Sequence, residues 1–107
     1  VILCERGIKG YDKFTRNTLD LAAVAVAKRE SHLPVIVDPS HATGDRSLVP
    51  ILARAALVAG ADGIMVEVHH DPENALSDGP QALLPDQFSD LMNQIKAIAE
   101  VIGRKIA

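Results

Sequence analysis

A chain of 107 residues has room for one small domain. Hydrophobic residues make up 48% of it and aromatics only 3%, so Ala, Val, Ile and Leu must fill the interior, as they do in parallel α/β folds. The net charge of −3, with basic residues dispersed, argues against nucleic acid as a partner. A single Cys excludes an internal disulfide, and no apolar run is long enough to cross a bilayer. A soluble, cytoplasmic protein with no membrane partner is therefore expected.

Three strand–helix units follow one another. Val1 to Cys4 reads as a buried strand, and Glu5 to Thr18 as a polar loop. Asp20 is placed to cap a helix from Leu21 to about Glu30, with Lys28 and Arg29 in its last turn to complement the helix dipole. Ser31 to Pro34 breaks that helix, and Val35 to Asp38 is the second strand. Asp45 stands at the start of a helix running to Ala59, with Pro50 in its first turns and Gly60 as its terminator. Ala61-Asp62-Gly63 enters a third strand, Ile64 to Val68. A last helix begins near Pro85 and presents Phe88, Leu91, Ile95, Ile98 and Ile102 as one apolar stripe. Regular alternation of this kind means a parallel sheet. A closed (β/α)8 barrel takes about 250 residues, so three units amount to roughly three-eighths of one. The opening at Val1-Ile2-Leu3, already inside a strand, leads us to expect a fragment of such a barrel.

Chemistry gathers where two strands end. The third strand delivers Glu67 and His69 at its polar end, and the loop beyond it returns Asp78. The second ends in Asp38-Pro39-Ser40-His41. Active sites of α/β barrels are built at the carboxyl ends of the strands. Imidazole and carboxylate ligands suit hard or borderline divalent metals. Each residue has a plainer reading. Alone, His41 would be a turn or capping residue, and Asp78 before Gly79 a turn residue. Glu67 within an apolar strand is harder to dismiss, because buried unpaired carboxylates are rare. Arg6 could simply pair with Glu5 or Asp38. Asp38 could orient His41 or touch substrate, and the sequence does not choose between these. Cys4 reads as a small buried hydrophobe, His69 as a group supporting the site, and His70 as solvated. Thr15-Arg16-Asn17 reads as loop-shaping in preference to a subunit contact.

Four stretches carry a resemblance. Ile2-Leu3-Cys4-Glu5-Arg6-Gly7, Thr15-Arg16-Asn17-Thr18-Leu19-Asp20, Pro34 to His41, and Met65 to Gln81 closely resemble 3-deoxy-D-arabino-heptulosonate-7-phosphate synthase in its shorter microbial form. The match is collinear over essentially the whole chain. It implies that residues 1–107 are the last three βα units, the C-terminal portion, of a single (β/α)8 TIM-barrel catalytic domain. The activity implied is condensation of phosphoenolpyruvate with erythrose 4-phosphate and water, releasing phosphate, at the start of the shikimate pathway. The family's metal histidine, glutamate and aspartate fall on His41, Glu67 and Asp78, and its phosphoenolpyruvate-phosphate arginine falls on Arg6. A divalent metal of the Mn, Fe, Co or Zn class is implied, as is a homo-oligomer, dimer or tetramer, of the full protein.

The family's fourth metal ligand, a cysteine, and its Lys-Pro-Arg-Thr-Ser motif belong to an earlier part of the barrel. Cys4 is not that ligand, and the 107 residues alone are expected to be inactive. Two departures stand out: His70 where a Pro is usual, and Leu84 in place of a Thr cap, a loss of about 1 kcal/mol. The residue types suit the chemistry. A divalent cation stabilises negative charge developing on the acceptor aldehyde oxygen, and a guanidinium binds phosphate bidentately. The nearest alternative is the sister enzyme that makes 3-deoxy-manno-octulosonate 8-phosphate from arabinose 5-phosphate. Its corresponding strand typically ends Asp-Val-Thr-His, against Asp-Pro-Ser-His here. If the resemblance holds, the donor atoms of His41, Glu67 and Asp78 should lie within about 5 Å of a common point, since metal bonds to N or O are roughly 2.0–2.3 Å.

Overall fold

The structure, a computed structural model, describes residues 1–107. Three parallel strands, β1 (Leu3–Glu5), β2 (Val35–Val37) and β3 (Gly63–Ile64), pair in chain order. Four helices accompany them: α1 (Leu21–Glu30), α2 (Pro39–Thr43), α3 (Val49–Val58) and α4 (Pro85–Val101). Short 3-10 turns at Pro72–Asn74 and Gly79–Gln81 complete the order. None of the helices is long and apolar enough to cross a membrane.

Register explains which side of the sheet is covered. Leu3 stands beside Val35, and Glu5 beside Val37, which in turn neighbours Ile64. This row faces the helices and packs with Val24, Ala56 and Ala61. A second cluster joins Val49 and Ala53 of α3 to Leu91 and Ile95 of α4 around Leu83, and Ile64 touches both clusters. The intervening row, Cys4, Ile36 and Gly63, lies on the opposite face, which no helix of this chain covers. Ile2 and Met65 share that face by alternation and are 61% and 47% exposed. Cys4 is accordingly exposed and not buried as its residue type suggested. Its neighbours Leu3 and Glu5 take the covered side, and alternation leaves it the bare one.

The helix signals in the sequence were of unequal strength. Asp20 caps α1 by accepting from Ala23 N at 2.9 Å, and Lys28 and Arg29 occupy its last turn. The helix expected from Asp45 starts four residues later, because Asp45 folds onto Ser47, accepting from both its N and its Oγ. Ahead of it lies α2, where the sequence raised no expectation of a helix. Its five residues are too few for periodicity, although Asp38 at the N-cap, Pro39 in the first turn and Gly44 at φ +66° mark both ends. Ladder pairing in β3 ends at Ile64, short of the expected Val68, since β2 gives way to α2 after Val37. Val68 instead pairs with Leu83, through Leu83 N to Glu67 O at 2.8 Å and His69 N to Leu83 O at 2.9 Å. In α4 the buried stripe is Leu91, Ile95 and Ala99, with Phe88 and Ile98 half-buried. Ile102 falls beyond the helix end and is exposed. The missing Thr cap at Leu84 is half replaced, for Gln87 Oε1 accepts from Leu84 N at 2.8 Å.

Candidate functional site

The carboxyl ends of the three strands lie side by side, and each contributes polar groups. At the end of β1, Glu5 Oε1 accepts from Gly7 N at 2.8 Å and from Asp20 N at 3.3 Å, tying the strand exit to the start of α1. The next residue, Arg6, extends into solvent with its Nε 4.0 Å from Asp38 Oδ2. The loop to α1 is strapped back onto α2 by Asn17 N to Ala42 O at 2.8 Å and Arg16 N to Thr43 O at 3.2 Å. Thr15 Oγ1 donates to Asn17 O at 2.8 Å, so Thr15-Arg16-Asn17 shapes the loop.

Asp38 performs two tasks after β2. Its Oδ1 accepts from His41 N at 2.9 Å, which starts α2, and its Oδ2 lies 2.6 Å from His41 Nδ1. The carboxylate is almost wholly buried. An ionised carboxylate only accepts, so it draws the ring proton to Nδ1 and turns Nε2 outward. Of the two roles open to Asp38, the structure supports orienting His41. A carboxylate behind a ligand histidine is the common support of metal-binding imidazoles.

Facing Nε2 are the two remaining carboxylates. Glu67 Oε1 lies 2.7 Å away and Asp78 Oδ2 3.5 Å away. One ligand atom from each of His41, Glu67 and Asp78 falls within 4.8 Å of the others. Two donors bonded to one ion stand at most about 4.4 Å apart, so a small closure brings the set to bonding distance. Three lone-pair donors this close can share one cation among them. The residues therefore fit a divalent metal.

The sequence singled out these three side chains but not what holds them. Glu67 N donates to Ser40 Oγ at 3.1 Å, joining the third strand to α2, and Gln81 Nε2 donates to Glu67 Oε1 at 3.1 Å. The Asp78 loop is clamped by Arg46, whose N donates to Pro80 O at 3.0 Å and whose Nη2 donates to Gly79 O at 3.3 Å. Asp78 itself is left-handed, at φ +54°, as Asp tolerates better than most residues. A Cβ on Gly79 would meet Pro72 O at 2.2 Å, so only glycine lets the loop close there. Neither histidine of the pair His69-His70 joins the cluster. Their rings stack at 4.8 Å, His69 Nδ1 accepts from Asp71 N at 2.9 Å, and His70 is exposed as expected. His69 thus shapes the loop.

The short parallel α/β unit thus brings a histidine and two carboxylates together at the strands' carboxyl ends as a metal-capable site. The DAHP synthetase I family model matches residues 1–103, and the chain belongs to that family. The phospho-2-dehydro-3-deoxyheptonate aldolase of Thermotoga maritima is 54% identical over 106 residues, which cover 99% of this chain and 31% of the relative. A truncated form of 3-deoxy-D-arabino-heptulosonate 7-phosphate synthase from the same organism superposes with a TM-score of 0.97, covering 99% of this chain and 40% of that structure. The 2-dehydro-3-deoxyphosphooctonate aldolase of Hydrogenovibrio crunogenus is more distant, at 35% identity over 97% of this chain and 40% of its own length. The chain thus spans between 31% and 40% of the length of these curated relatives.

Proposed function

We propose that residues 1–107 are the C-terminal portion of a single (β/α)8 catalytic barrel, its last three βα units. The whole protein is proposed to be a cytoplasmic transferase that condenses phosphoenolpyruvate with erythrose 4-phosphate and water to 3-deoxy-D-arabino-heptulosonate 7-phosphate and phosphate. The observation that carries this reading is the convergence of His41, Glu67 and Asp78 within 4.8 Å at the strands' carboxyl ends. Family membership and the 54% identity support the substrate pair. The uncovered row of Ile2, Cys4, Ile36 and Met65, together with the edge strands β1 and β3, supports a barrel whose interior and closing strands come from elsewhere in the protein. So does the apolar groove beside β3, lined by Ile64, Val66, Phe88, Met92 and Ile95. By this reading the 107 residues alone are inactive and, with two open sheet edges, do not persist as a soluble monomer.

Each side chain then has a role. His41, Glu67 and Asp78 hold a divalent ion of the Mn, Fe, Co or Zn class, which as a Lewis acid would polarise the acceptor's carbonyl oxygen. Asp38 keeps the proton on Nδ1 of His41, so that Nε2 keeps its lone pair free for the ion. Arg6, exposed beside a small polar cavity shared with Gly7, Arg16, Asn17 and His41, takes the phosphate of phosphoenolpyruvate. A guanidinium is always charged and matches phosphate bidentately. The assembled enzyme is a homo-oligomer, dimer or tetramer.

The test is phosphate release by the full-length protein, stripped with chelator and then refilled with Mn2+, with erythrose 4-phosphate or arabinose 5-phosphate as acceptor. Metal-dependent turnover with erythrose 4-phosphate is expected. Preference for arabinose 5-phosphate would move the assignment to the octulosonate enzyme, and turnover unchanged by chelation would remove the metal role.

A further inference from the structure

Gln81 is fully buried, between Pro80 and the buried pair Ala82 and Leu83. A primary amide at such a position gives up water at several hydrogen-bonding positions, and an apolar side chain would lose nothing. Only one of those positions is repaid within the fold. Nε2 donates to Glu67 Oε1 at 3.1 Å, while Oε1 of the amide is buried with no donor. The direction of the bond is fixed by chemistry, since an ionised carboxylate cannot donate. An orphaned buried oxygen costs more than an ordinary hydrogen bond returns, so packing does not account for an amide here.

What the amide does is hold one particular oxygen. Glu67 Oε1 is also the atom 2.7 Å from His41 Nε2. The glutamate backbone is held by Ser40 Oγ, but its side chain has free torsions and is 27% exposed. Resting on the metal site proposed above, we infer that Gln81 is a positioning residue, which fixes the Glu67 carboxylate in its metal-binding orientation before the ion arrives. Its backbone joins the same device to the other acidic ligand, because Gln81 N donates to Asp78 O at 3.2 Å. One 3-10 turn, Gly79–Gln81, therefore sets two of the three ligands. A substitution that removes the amide donor but keeps the volume frees Glu67 and leaves the fold intact.

The experiment is titration of the metal-free full-length protein with Mn2+, with free ion followed by electron paramagnetic resonance. Thermal unfolding of the same metal-free samples is recorded. Wild type should bind one ion at a site that His41→Ala abolishes. Gln81→Met should bind it about 10- to 100-fold more weakly, the usual cost of removing a group that supports a ligand. Metal-free Gln81→Met should unfold no lower than wild type, because the orphaned oxygen is gone. Wild-type affinity in Gln81→Met overturns the inference, as does a fall in unfolding temperature with affinity unchanged. Should Gln81→Met not fold, Gln81→Leu, which also lacks the donor and has no charge, takes its place, and undiminished Mn2+ affinity in that variant overturns the inference equally. If wild type binds no Mn2+, or His41→Ala binds it equally well, the metal-site reading itself is what fails.

Discussion

The two ends of the sheet treat their acids in opposite ways. At the amino end, Asp62 is surrounded by donors. Its Oδ2 accepts from Lys28 Nζ at 2.7 Å and Val35 N at 2.8 Å, and its Oδ1 accepts from Arg104 Nη2 at 3.1 Å. The charge is matched, and the carboxylate fastens α1, the start of β2 and the segment after α4 together. At the carboxyl end, Asp38, Glu67 and Asp78 crowd one imidazole, and the nearest guanidinium, Arg6, stands 4.0 Å from Asp38. Acid is in excess there. Structural carboxylates come with their own cations, whereas a site built to receive a cation leaves room for it. In barrels, stability is characteristically built at the amino-end face and catalysis at the carboxyl-end face.

Substitutions can break that contrast in order of size. Glu67→Ala should abolish turnover and lower Mn2+ affinity at least 100-fold in the full-length protein, without lowering the metal-free unfolding temperature. A loss of fold in place of a loss of metal would make Glu67 a structural acid like Asp62. Gly79→Ala attacks the loop that returns Asp78. With Pro72 O 2.2 Å from the added carbon, it should cost about 2–3 kcal/mol in denaturant melts, with metal affinity falling alongside. Arg6→Ala should raise the Michaelis constant for phosphoenolpyruvate by on the order of 10- to 100-fold, while metal binding is unchanged.

Asp62→Asn is the smallest expected change and tests the other end. It should cost on the order of 1 kcal/mol of stability, since the site is partly solvated, and should leave the Michaelis constants alone. The pH dependence has a definite sign. The Lys28 hydrogen bond, and after it the bond from Val35 N, hold the Asp62 carboxyl below its ordinary value of 3.8. A depressed folded value means that the clasp is fully present above 3.8 and is lost as pH falls through the folded value. Acid melts of wild type and Asp62→Asn should therefore converge at low pH. A constant gap down to pH 2 would show that the ion pairs are not what the substitution removes.

Much of this was legible in the residues, and the exceptions have physical causes. The cap of α1 is a local signal, and Asp20 carried it. The convergence of His41, Glu67 and Asp78 was legible because they stand in a recognisable order. The buried amide of Gln81 and the clamp of Arg46 were not, since they depend on contacts across 14 and 33 positions that no spacing encodes. Cys4 was misjudged because alternation states which residues share a face, but not whether that face is covered. Ile102 was misjudged because the helical period does not state where the helix ends. The helix at Pro39–Thr43 was missed because a single turn and a short helix open with the same Asp-Pro-Ser signal.

The central claim, that His41, Glu67 and Asp78 form one metal centre, is tested most directly by counting ions. The full-length protein and its His41→Ala variant would be equilibrated with Mn2+ across a dialysis membrane, and bound metal per chain measured. One ion per chain in wild type and none in the variant, with turnover lost in step, is the predicted result. Equal occupancy and near-normal turnover in both would contradict it.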